Sequence, residues 1–143
     1  MSYATQQDLV DRFGATEIIQ RTDRLHRPPT TIDPVVVERA LDDAAALIDG
    51  YLKALYALPL SAVPPVLVKV SADIARYNLW GEAVNKDGPV ALAYRDALAW
   101  LRDVAAGRVQ LDADGISPAA SPTGARMSAS KPDFTRQNLK GFI

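Results

Sequence analysis

The chain has 143 residues, 48% of them hydrophobic, with a formal net charge of −1, one histidine and no cysteine. That length suits one domain whose core stands without staples, and the missing thiols exclude a disulfide framework, a thiolate metal centre and a cysteine nucleophile. A lone histidine, His26, cannot build a multi-histidine metal site, a serine triad would have to rest on it alone, and a near-neutral chain is not built to hold a polyanion.

No basic segment followed by an apolar run opens the sequence, so no secretory signal is expected. The longest uncharged stretch, 54–68, is too short to span a bilayer and carries Pro59, Pro64 and Pro65. A cytoplasmic address and no membrane partner are the expectation.

Thr5 and Asp8 form a capping box with Asp in the place of Glu or Gln, opening a short helix that stops at Gly14. Residues 16–21 add one further turn. The stretch 23–31, with Pro28-Pro29, reads as a surface loop. Asp33-Pro34 then gives an N-cap with proline at the first helical position. Val37, Leu41, Ala44, Ile48, Tyr51 and Leu55 follow on one face of a long amphipathic helix that Pro59 stops.

The next helix begins near Pro64-Pro65 and runs to Trp80. Its narrow polar stripe, Lys69, Asp73 and Arg76, predicts the central, most buried helix, with the three side chains pairing locally. Another helix starts at Gly88-Pro89, places Tyr94, Leu98, Leu101 and Ala105 on one face, and is capped by Gly107. The aromatics Tyr51, Tyr56, Tyr77, Trp80, Tyr94 and Trp100 recur at helical spacing and read as core. Arg108-Val109-Gln110-Leu111 alternates polar and apolar, which suggests a short β-strand at 108–111. The fold class is all-α: a small bundle of about four helices over 1–111, with an extended C-terminal arm over 112–143.

The arm has its own chemistry. Turn-forming and small residues dominate 112–124, too few apolar groups to offset ordering entropy. From Gly115 on, four cations stand against one acid, for +3, which leaves twelve cations against sixteen acids, −4, in the body. Apolar Phe134, Leu139, Phe142 and Ile143 punctuate this polar, basic extension. Such anchors dock on a partner or fold back on their own body. Arg126, Phe134, Arg136, Leu139 and Phe142 are the candidate protein-interface residues.

Catalytic chemistry finds little support. Asp42-Asp43 point in different directions on a helix and read as a solvated face. Asp49 and Asp73 sit among apolar residues and would serve an enzyme if buried and protonated, but pairing with a base or capping a helix is the simpler reading. His26 reads as an exposed loop residue. No glycine-rich phosphate loop and no nucleophile elbow occur. No catalytic residue, cofactor or metal is assigned. A helix-turn-helix reader would expose basic side chains, whereas these helices expose Glu38, Asp42, Asp43, Asp96 and Asp103, and a body of −4 repels phosphates. A small helical regulator binding DNA or protein stays as the alternative.

The order Tyr3-Ala4-Thr5, Asp8-Leu9, Arg12-Phe13-Gly14, then Ile48-Asp49-Gly50-Tyr51-Leu52 and Tyr56-Ala57-Leu58-Pro59-Leu60, resembles the Mu-like phage head–tail connector proteins. The resemblance continues through Val63-Pro64-Pro65-Val66-Leu67, Asp73-Ile74-Ala75-Arg76-Tyr77, Tyr94-Arg95-Asp96-Ala97-Leu98 and Ala106-Gly107-Arg108-Val109, and Phe134-Thr135-Arg136 with Leu139-Lys140-Gly141-Phe142 is similar to the tails of these proteins. Residues 25–31 and 115–125 show no match. The resemblance implies a non-enzymatic virion protein of the phage neck, assembled in the host bacterial cytoplasm. It implies a homo-oligomeric ring, typically a dodecamer, beneath the portal protein, with a tail or tail-completion protein as the other partner and DNA passing through without specific binding.

Overall fold

A computed structural model describes residues 2–112. They form five α-helices and one 3₁₀ turn: α1 (Gln6–Phe13), α2 (Ala15–Thr22), α3 (Pro34–Leu52), α4 (Pro65–Trp80), the turn Gly81–Ala83, and α5 (Pro89–Ala105). The arm expected over 112–143 falls, beyond residue 112, outside the described residues, and so do Arg126, Phe134, Arg136, Leu139 and Phe142.

Local chemistry accounts for most helix boundaries. The Thr5 hydroxyl accepts from the Asp8 amide at 3.2 Å while the Asp8 carboxylate accepts from the Thr5 amide at 2.7 Å, a complete capping box. Gly14, at φ +89°, both ends α1 and opens α2, a backbone angle that L side chains rarely adopt. The segment expected to add one turn is thus a separate helix of 8 residues. The Asp33 carboxylate accepts from the Val35 and Val36 amides and Pro34 takes the first position of α3. That helix ends at Leu52, so Leu55 lies past it, in a turn whose amide bonds back to the Leu52 carbonyl.

Helix α4 is the centre of the bundle, in contact with α1, α2, α3 and α5. Its buried face runs through Leu67, Val70, Ser71, Ala72, Asp73, Ile74 and Ala75. From α3 it meets Leu41, Ala44, Ala45 and Ile48, from α5 Ala97, Leu101 and Val104, and Leu9 and Ile18 close the layer from α1 and α2. The buried stripe of α5 is centred on Ala97, Leu101 and Val104, with Tyr94 and Leu98 half-buried beside it. Among the aromatics read as core only Tyr56 is fully buried. Tyr51, Tyr77, Trp80, Tyr94 and Trp100 lie half-exposed, and Tyr77 and Tyr94 stack across α4 and α5 with ring centroids 3.9 Å apart.

No β-strand occurs among the described residues, so the strand expected at 108–111 is corrected. Helix α5 closes instead with a Schellman turn: Gly107, at φ +74°, donates to the Val104 carbonyl at 3.0 Å and Arg108 to the Asp103 carbonyl at 2.9 Å. Those amides are turned back into the helix end and are not free to form a ladder. The alternation that suggested a strand has another cause. Val109 and Leu111 tuck against the bundle while Arg108 and Gln110 face water.

Candidate interaction surface and its polar supports

Polar side chains within the bundle fix helices against each other. On α4, Lys69 Nζ reaches Asp73 Oδ2 at 2.7 Å, one turn away. Arg76 does not join them. It turns to Glu17 of α2, with Nε at 2.6 Å from Oε1 and Nη2 at 2.9 Å from Oε2, a bidentate pair. Trp80 Nε1 donates to the same Oε1 at 2.8 Å. The Arg21 guanidinium lies 3.7 Å from the centre of the Trp80 ring, and that of Arg76 lies 4.3 Å from the centre of the Phe13 ring. Burial pushes the Glu17 carboxyl upward, but the hydrogen bonds from Arg76 and Trp80 and the charges of Arg76 and Arg21 outweigh it, leaving its pKa below the ordinary value.

Asp49, a candidate in the sequence, is engaged by the Tyr3 hydroxyl, which donates to its Oδ1 and ties the N-terminal segment to α3. Burial, then that bond and the Asp49 charge, push the Tyr3 phenol well above its usual range. Asp73 is buried against Lys69. Each carboxylate therefore has a structural partner. Among the described residues no group of three or more histidine, aspartate or glutamate side chains is placed to hold a metal ion, and no helix is long and apolar enough to cross a membrane.

The loop 23–33 is built around one carboxylate. Asp23 accepts from the amides of Leu25, His26, Thr30 and Thr31 at 3.0, 3.1, 2.9 and 3.1 Å, and His26 Nδ1 lies 2.9 Å from its Oδ2. The Thr30 amide foremost, then those of Thr31, His26 and Leu25, hold the carboxyl well below the usual carboxylate range against the opposing effect of burial. The loop is closed at its root by buried Thr22, whose hydroxyl donates to the Ile18 carbonyl at 2.8 Å and accepts from the Asp33 amide at 3.1 Å. His26 is exposed, as read, but its acidic partner three residues earlier was not singled out. An aspartate opening a loop that holds Thr30-Thr31 was the available signal.

The end of the bundle is fixed by Tyr56, whose hydroxyl accepts from the Leu111 amide at 3.0 Å, and by Leu111 itself, which is buried. Two clefts line opposite faces of α3. One, of about 280 Å³, lies between residues 2–6 and α3 along Ala4, Pro34, Val37, Glu38, Leu41 and Asp42. The other, of about 110 Å³, runs along Arg24, Val36, Arg39 and Asp43. Such an arrangement rigidifies a small body and offers charged surfaces.

Residues 3–130 match the family model described as Bacteriophage Mu, Gp36. The chain is 38% identical, over the full length of both proteins, to Gene product J of Escherichia phage Mu. It is 32% identical to the Mu-like prophage FluMu protein gp36 of Haemophilus influenzae, with 99% of this chain and 98% of that protein covered. The motifs spread along α1, α3, α4 and α5 are therefore those of one lineage, and the chain belongs to the Bacteriophage Mu Gp36 family, the Mu-like phage head–tail connector family.

Proposed function

We propose that the protein is a structural subunit of the phage neck, forming a closed ring beneath the portal that extends the DNA channel and presents the tail-attachment surface. The observation that carries this reading is the end-to-end match to the Mu proteins. The bundle supports it: the carboxylates of its interior are taken up by structural partners, and the amide of buried Leu111 is bonded to Tyr56 just before the basic C-terminal segment begins in the sequence. Residues 1–111 act as the connector domain and 112–143 as an arm. A ring subunit seals against two identical neighbours through heterologous contacts that close. An arm of about 30 residues carrying Phe134, Leu139 and Phe142, with Arg126 and Arg136, suits such a seal, because extended segments cover large surfaces for little folded mass. The acidic body lines the channel without adhering to DNA, since like charges repel. The portal and a tail or tail-completion protein are the partners, and the virion neck, assembled in the host bacterial cytoplasm, is the location.

Deletion of residues 130–143 tests the reading. Circular dichroism should show the helical body intact, while docking onto portal-bearing capsids is lost. Unimpaired docking by the truncated chain, or particles with no annular density between head and tail, refutes the proposal.

A further inference from the structure

The ring reading leaves open which surfaces of neighbouring bodies meet, and the loop between α2 and α3 has no role in it. That loop is unusual in two respects. Its tip is exposed, with Leu25 at 86% accessibility, the highest of the exposed large hydrophobic residues among the described ones, flanked by exposed Arg24, His26 and Arg27. Its base is nevertheless rigid, because four backbone amides converge on Asp23 and Thr22 ties the root of the loop to α2 and α3. Exposed loops usually occupy the low-stability end of a fold. One braced in this way presents its tip at fixed geometry, and the tip is an apolar knob between cations.

The groove between residues 2–6 and α3 has the complementary form. Ala4, Pro34, Val37 and Leu41 make an apolar floor, and exposed Glu38 and Asp42 stand on its rim, in about 280 Å³ of space. Knob and groove lie on different faces of α3. At 3.6 residues per turn, positions 34, 37, 38, 41 and 42 cluster on one face of α3, about half a turn from positions 36, 39, 40 and 43. Arg24 lines the cleft on that second face, so the loop emerges there. A knob and a matching socket on different faces of α3 join successive copies head to tail, the contact type from which closed rings are built.

We infer that Leu25 of one copy inserts into the Ala4–Val37–Leu41 groove of the next, with Arg24 and Arg27 facing Glu38 and Asp42. The inference rests on the ring reading and names its lateral contact. Charge complementarity selects a second copy as the occupant: the loop offers cations where the groove offers acids.

The chain is free of cysteine, so the contact can be trapped. The double variant L25C/D42C and each single variant are oxidised at increasing protein concentration and resolved without reductant. The expected result is a ladder of dimers, trimers and higher species from the double variant, while each single variant stays a monomer. On the L25C/D42C background the charge reversal R24E/R27E should abolish the ladder, and adding E38R should restore it. Linked dimers from L25C alone, a monomer linked within itself, or unlinked monomers at every concentration overturn the contact. An annular density in particles of L25D would then show that the ring forms through another surface, which separates failure of this contact from failure of the connector reading.

Discussion

Glu17 and Arg76 lie 59 residues apart in sequence, yet the carboxylate and guanidinium face each other through two parallel hydrogen bonds, and Trp80 donates a third. Both side chains are about one-fifth exposed, 20% for Glu17 and 19% for Arg76. The pair therefore falls between a surface ion pair, worth up to about 1 kcal/mol, and a fully buried one, whose breakage costs roughly 3–5 kcal/mol. Glu17→Gln should destabilise the bundle by about 2 kcal/mol at neutral pH, a fall in Tm on the order of 10 °C. The sign of the pH effect follows from the lowered folded-state pKa of Glu17. Its contribution is complete above the ordinary carboxylate pKa and disappears as pH falls through the folded value. Thermal melts of wild type and E17Q should therefore differ at pH 7 and converge in acid. An equal gap at both pH values would remove the ion pair as the cause.

Asp23 organises its loop without adding to the core. Asp23→Asn keeps the shape but removes the charge that four amides and His26 share. Amide exchange at Leu25, His26, Thr30 and Thr31 should accelerate at least tenfold, while Tm of the bundle moves by only a degree or two. The folded carboxyl has a depressed pKa, so the loop bracing is present above the unfolded-state value and is lost as pH falls. Wild-type loop amides should thus approach the exchange pattern of D23N in strong acid. Exchange protection that is insensitive to both the substitution and acid would show that the proline-rich backbone holds the loop by itself.

Tyr56 ties Leu111 to the bundle. Its hydroxyl is the partner of the Leu111 amide, and removing it leaves a buried N–H without an acceptor. Tyr56→Phe should cost about 1–2 kcal/mol and speed proteolysis just before Leu111, with the helical signal of the remaining body unchanged. A cleavage pattern identical to wild type would place the tether in the apolar packing of Leu111 alone.

How much of this was legible in the chain depends on sequence distance. The starts of α1 and α3 were written in Thr5, Asp8, Asp33 and Pro34, because a cap is a contact between residues two or three apart. The end of α5 was legible in Gly107 for the same reason. The fate of Arg76 was not, since its nearest acid along the helix is Asp73 and nothing local shows that α2 brings Glu17 to it. The strand reading of 108–111 failed because period-two burial arises in any extended segment lying on an apolar surface, with or without a neighbouring strand. The half-buried aromatics, of which Tyr51, Tyr94 and Trp100 pack against the core, lie at its margin for a related reason: helical spacing fixes a face, but not whether that face meets the centre of the bundle or its edge.

Tyr3 and Asp49 supply the alkaline counterpart of the Glu17 effect. The phenol is 6% exposed and donates to the carboxylate, so ionising it would remove a donor and set two negative charges side by side. Its folded-state pKa is raised, and a raised pKa gives stability that is whole below the unfolded value, about 10, and drains away as pH rises through it. Tyr3→Phe should cost about 1.5–3 kcal/mol at pH 7, the range for a hydrogen bond to a charged group. The same substitution should flatten the alkaline limb of the stability curve. Above pH 10 the gap between Y3F and wild type should narrow, because only wild type still has a buried proton to lose at that contact. Denaturant titrations from pH 7 to 11 check this, and a gap that stays constant would mean that Tyr3 contributes through its ring alone and that Asp49 finds its proton donor elsewhere.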